Sequence, residues 1–158
     1  MSVNPYAYAV EGRDPAAVIA ETPERLAKLL AGMTAEEVSA SPGPGKWSVR
    51  EVVVHLADCE IAFGFRLRQA YSGQSQLQPF DQDAWARAYG VYTWEQALSV
   101  FTALRAWNVT FVSGLSEADK QLKTVHPERG EMVLWTIVET MAGHDGHHLR
   151  KLEGATTA

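Results

Sequence analysis

A bundle of four long α-helices is the fold class that this sequence predicts. Three observations lead to it. Four stretches repeat apolar residues at helical spacing; loops rich in proline, glycine and polar residues separate them; and no stretch alternates apolar and polar residues over a convincing strand length. No internal repeat is visible. The 158 residues suit one domain with a real core, so residues 1–158 are expected to form a single all-α unit.

Residues 1–13 read as an irregular arm, with Tyr6, Tyr8 and Val10 laid across the bundle. Asp14 before Pro15 is an N-cap followed by a first helical residue. The first long helix runs from Pro15 to Ala31 with Val18, Ile19, Leu26, Leu29 and Leu30 inward, and Gly32 stops it. Pro23 lies inside and predicts a kink or break. Thr34 and Glu37 cap a short turn. Pro42, Gly43, Pro44 and Gly45 then exclude regular structure.

The second long helix spans Ser48 to Tyr71. Ser48 and Glu51 form a capping box, each side chain satisfying a free backbone N–H, and Trp47 staples onto Val52. Val49, Val52, Val53, Leu56, Cys59 and Phe63 make its apolar stripe, which His55 borders. Gly64 suits a close approach by another helix. Residues 74–82 form a polar connection. Asp81 to Tyr89 reads as a short helix with Trp85 inward. Thr93, aided by Gln96, caps the third long helix, whose apolar face runs from Trp94 through Ala97, Leu98, Phe101, Leu104 and Phe111 to Val112. Residues 116–121 are a turn, and 123–130 a loop able to form a small extended excursion. The fourth long helix covers 131–153, and residues 154–158 are a frayed tail. The connections are longer than in a minimal up-down bundle, so at least one crosses over.

The formal net charge of −5 argues against a nucleic-acid partner, which calls for a basic stripe. The single cysteine excludes an intrachain disulfide and fits a reducing compartment. The start MSVNPYAYAVEG lacks the basic and apolar pattern of a signal peptide, and no apolar run is long enough to cross a bilayer. A cytoplasmic location with no membrane partner is expected.

The histidines carry the chemistry. Leu134, Ile137, Val138 and Met141 line one face of the fourth helix, and the same spacing reaches His144 and His148. Four apart, these two stack on one side and offer two neutral nitrogens to one metal ion. The third ligand must come from elsewhere: His55, facing inward, or His126, in a loop. His55 is favoured. His147 points away from its neighbour. Asp58 and Glu60 are candidates for proton transfer, and Asp145 and Cys59 for contacts to the ligand rings. Set against this, histidine pairs four apart are common, the segment reads HDGHH without the glutamate base of HExxH, and a lone His55 is more often a core residue. Trp47, Trp94, Trp107 and Trp135 read as core or interface anchors. Arg66 and Arg68 read as solvated surface unless they border a pocket, where one could take an anionic substrate. No phosphate loop, nucleophile elbow or spaced cysteine pair is present.

The segments KWSVREVVVHLADCE, Lys46 to Glu60, and HDGHHLRKLE, His144 to Glu153, resemble the DinB-like (YfiT-like) family of metal-binding four-helix bundles. The resemblance implies an up-down-down-up helix order with the long connection between the second and third helices, and a homodimer. It also implies a divalent metal held by one histidine of the second helix and two of the fourth, carried here by His55, His144 and His148. Nickel or zinc is expected there, with iron or manganese as alternatives. The family's relation to thiol-dependent transferases implies thiol S-transfer to a small electrophile, with a low-molecular-weight thiol as cofactor; no thiol-binding motif can be matched residue by residue. A metal-dependent hydrolase is the first alternative. A non-catalytic metal-binding stress-response module is the second, and a helical protein without metal the third.

Overall fold

The computed structural model describes residues 4–156. Four long helices make the bundle: α1 (Pro15–Ala31), α3 (Val49–Tyr71), α5 (Trp94–Ser113) and α7 (Leu134–Thr156). Short helices α2 (Ala35–Ser39), α4 (Gln82–Ala86) and α6 (Glu117–Lys120) lie in the connections. The helix starts follow from local chemistry. Ser48 and Glu51, Thr34 and Glu37, and Thr93 and Gln96 all close complete capping boxes. The Asp14 carboxylate accepts from the N–H groups of Ala16 and Ala17. Helix α7 ends at Thr156, so the expected tail of 154–158 begins as helix and then passes outside the described residues, as do the first three residues of the arm.

Three expectations need correction. Pro23 does not break α1 into two helices; the helix runs through it. Proline has no N–H for the carbonyl of Ile19 one turn back. Nη1 of Arg105 donates to that oxygen instead, at 2.9 Å. The second correction is to the start of the last helix. Lys123–His126 and Gly130–Val133 pair as an antiparallel hairpin, β1 and β2, so residues 131–133 spend their backbone groups on a ladder and α7 begins at Leu134. Gly130, at φ 81°, supplies the left-handed residue of the turn. The third concerns Trp85. Its short helix forms, but the ring is 40% exposed and packs on Phe80, 4.6 Å between centroids. Tyr89, in the 3-10 turn Tyr89–Val91, takes the interior position.

The apolar core falls into two groups. Leu26, Leu30, Val53, Leu56, Phe101 and Leu149 belong to one, and Ile19, Leu67, Val112, Leu134, Ile137 and Met141 to the other. Along every long helix a polar residue lies between them in sequence: Thr22, Glu60, Arg105 with Asn108, and Asp145, all buried. Arg105 joins them. Its guanidinium donates to both carboxylate oxygens of Asp145 and, at 2.7 Å, to Oε2 of Glu60. Asn108 donates to Oε1 of Glu60 at 2.8 Å, and the Thr22 hydroxyl to Asp145 at 2.7 Å. Burial alone would lower the Arg105 pKa, but the two carboxylates outweigh it and push it up. One ionic knot therefore ties α1, α3, α5 and α7. Gly64 makes room for it, since a Cβ there would lie 2.7 Å from Asn108 Nδ2. Trp107 is 69% exposed, away from the buried side of α5, so of its two expected roles the core one is excluded. Among the described residues no helix is long and apolar enough to cross a membrane.

Candidate metal centre

The capping box at Ser48 sets the phase of α3, and two turns later His55 points inward, 1% exposed. Helix α7 carries His144 and His148 on its buried side, 4% and 6% exposed. The three histidines each offer a nitrogen, and these nitrogens lie within 4.8 Å of one another. His126 lies in β1 and is not among them.

The site is built from aromatic walls. Trp47 packs on the His55 ring at 4.9 Å between centroids and on Tyr89 at 5.5 Å. The Tyr89 hydroxyl stands 3.3 Å from Nδ1 of His55. Phe63 meets His144 edge-on at 5.7 Å, and Tyr6 of the N-terminal arm does so at 5.3 Å. The arm lies directly against α7, where a Cβ on Gly146 would come within 2.6 Å of the Ala9 carbonyl. Tyr8 hydrogen-bonds His147 Nδ1, so His147 belongs to the contact with the arm.

The donor set fits a divalent cation. Burial, more than any neighbouring charge, holds His55 down at about 4 and His148 at about 3, and His144 well below its ordinary value, so all three imidazoles are neutral at pH 7. Nε2 of His55 and Nε2 of His144 are 2.9 Å apart, where at most one can carry a proton. Nδ1 of His148 is buried with no hydrogen-bond partner. Buried nitrogen lone pairs turned toward one another are what a cation would satisfy.

The four other candidates divide. Asp58 is half-buried, burial raises its pKa, and no hydrogen bond or ion pair to it is found among the described residues. Cys59 is buried with Sγ 3.6 Å from both His55 nitrogens, and burial, then Asp58, push its thiol up, so it is an un-ionised thiol. Glu60 and Asp145 contact Arg105, Asn108 and Thr22, and no hydrogen bond joins either to a ligand ring. Sequence reasoning missed Tyr89 and Arg105. Arg105 left a signal: with Asn108 it occupies the stripe set by Phe101 and Val112, at spacings of four, three and four.

Comparison with known proteins adds the following. The sequence pattern of the DinB superfamily matches residues 19–152. A relative from Oceanobacillus iheyensis is 29% identical over 133 residues, 83% of this chain and 77% of the relative. One from Geobacillus kaustophilus is 29% identical over 149 residues, 87% and 83% of the two chains. Both bear the name "Putative metal-dependent hydrolase". Among solved structures, one described as "YfiT from Bacillus subtilis is a probable metal-dependent hydrolase with an unusual four-helix bundle topology" superposes with a TM-score of 0.83. It covers 90% of this chain and 84% of its own, at 20% identity, a likeness of fold.

Proposed function

The chain belongs to the DinB superfamily, and on that premise we propose that it is a divalent-metal-dependent hydrolase of small molecules. The observation that carries the proposal is the set of three buried, neutral imidazoles from α3 and α7 within 4.8 Å of one another. His55, His144 and His148 would hold the ion. Three imidazoles suit zinc or nickel. When bound, such a cation supplies Lewis acidity, drawing electron density from an oxygen donor and easing loss of its proton at neutral pH.

The rest of the work falls to the chain. Tyr89 and Trp47 fix the His55 ring, one by hydrogen bond and one by packing. Asp58 is the candidate to receive a proton: one turn after His55, its charge acts on the Cys59 thiol and the Tyr89 hydroxyl, both beside that ring, and burial makes its carboxylate more basic. Phe63 and Tyr6 keep the His144 side apolar. The relatives' names favour water over a low-molecular-weight thiol as the attacking group.

Metal analysis of protein purified without an affinity tag tests the site. One ion per chain is expected, lost in His55→Ala, His144→Ala and His148→Ala; wild-type metal content retained in these variants would refute it. Turnover of ester and amide substrates with and without added thiol then separates hydrolysis from thiol transfer, since only the latter requires the thiol.

A further inference from the structure

A cavity of about 480 Å³ lies between α3, the connection 79–83 and the tip of the hairpin. Arg66, His126 and Arg129 line it, with Phe80 as an apolar wall. We propose that this cavity binds a single carboxylate or phosphate group of the substrate whose reactive end lies at the three histidines. The proposal rests on the hydrolase reading for that second half alone.

What marks this cavity is that two arginines without an ion pair among the described residues meet in it; Arg50, Arg68 and Arg87 also lack a carboxylate partner, but they bond backbone or amide oxygens elsewhere. Arg13, Arg25, Arg105 and Arg150 each pair with a carboxylate. Arg66 does not: its Nε and Nη2 both donate to the carbonyl of Gln78, which holds the fork in place, and Glu128 acts on its charge across the cavity without forming an ion pair. No hydrogen bond or ion pair to Arg129 is found among the described residues. His126 is 6% exposed, and its Nδ1 accepts the N–H of Glu128 at 3.2 Å. The ring therefore carries its proton on Nε2, a third donor. Burial, then Arg66 and Arg129, keep this ring neutral, down at about 4, so it donates without adding charge. Two guanidiniums and an imidazole N–H in one cavity form an anion site.

The acidic residues of the cavity limit what it accepts. Asp81, Asp83 and Glu128 also line it, and no ion pair joins them to either arginine among the described residues. Asp81 is occupied in capping α4, accepting from Ala84 N–H at 2.9 Å. With three carboxylates against two guanidiniums the cavity has no net positive charge, so what it offers an anion is directed N–H donors, and one anionic group is the fit.

The cavity and the histidines share α3. Arg66 follows His55 by eleven residues, about three turns, and so returns to the same side of the helix, with Cys59 between them. The Arg66 charge acts on the Cys59 thiol, whose sulfur touches His55, and the Arg129 charge acts on Tyr6, whose ring touches His144. Eleven residues place the two sites about 16 Å apart along the axis of α3, so the substrate must be long enough to span them.

The test is calorimetric titration of succinate, and separately of inorganic phosphate, into the zinc-loaded chain and into metal-free His144→Ala. Binding of either anion at millimolar concentration or below, with the same affinity in both proteins, is expected. Arg129→Gln, which breaks no contact found in the fold, should weaken it about 10-fold, one charge-assisted hydrogen bond's worth. Arg66→Gln should do likewise. The anion that binds more tightly identifies carboxylate or phosphate. No binding, binding lost in His144→Ala, or binding unchanged in Arg129→Gln would each overturn the proposal. A second readout is the kcat/KM ratio between a monoanionic ester and its neutral analogue, which should fall in Arg129→Gln. If no substrate is hydrolysed at all, the hydrolase reading fails, and the titration still decides the anion site.

Discussion

Gly143 of α7 and Tyr6 of the arm are in backbone contact: a Cβ at position 143 would stand 2.5 Å from the Tyr6 carbonyl oxygen. The neighbouring residue is His144, which the Tyr6 ring meets edge-on. Gly143→Ala is expected to lift the arm and to destabilise the chain by about 1–3 kcal/mol, the usual cost of overpacking. Urea denaturation measures the loss, and limited proteolysis reports the freed arm. Unchanged stability with an arm still protected would show that α7 yields instead.

Tyr89 should matter to the site without being a ligand. Its hydroxyl stands 3.3 Å from Nδ1 of His55, nearer than the Cys59 sulfur at 3.6 Å. Removing such an outer partner typically weakens metal binding about 10–100-fold. Tyr89→Phe should therefore bind zinc more weakly by that order in competition with a chelator, while its melting curve without metal stays close to wild type.

Arg105 is expected to be among the most sensitive positions. Arg105→Met strands Glu60 and Asp145 as buried charges, a change that costs about 3–5 kcal/mol in comparable cases. Equilibrium denaturation should show that loss. A cost below about 1 kcal/mol, the scale of an exposed pair, would mean that the two carboxylates reach water or take up protons.

Stability of the metal-free chain should fall with acid in a defined window. His55 and His126 are held down at about 4 and His148 at about 3, whereas in the unfolded chain each titrates near 6.5. Between those values the unfolded state binds more protons, so unfolding is favoured as pH drops. Their contribution is complete above about 6.5 and is lost progressively as pH falls through about 4 and on to about 3. Thermal melts across that range check the sign. A melting temperature that rises on acidification would refute it.

What could be read from the chain was what is local. A serine three residues before a glutamate closes a box whatever lies beyond, and histidines at 144 and 148 share a face on any helix. The non-local features were harder. Nothing near Tyr89 in sequence says that its hydroxyl will meet His55 thirty-four residues earlier. Trp85 looked like the inward residue because it is larger and more apolar, yet its five-residue helix sits at the rim and Tyr89 reaches the gap. The hairpin was hidden because Glu131, Met132 and Val133 continue an apolar, helix-compatible run, and only pairing with Lys123, Thr124 and Val125 diverts them.

The proline of α1 has an effect beyond its own turn. At any other residue type, the amide of position 23 would compete with the guanidinium of Arg105 for the oxygen of Ile19. With proline there, the competitor is absent, and the crossing from α5 to α1 is the bond that this oxygen makes. A helix defect thereby serves as a latch: sliding α1 along α5 would strand an acceptor for which no neighbour on its own helix can substitute.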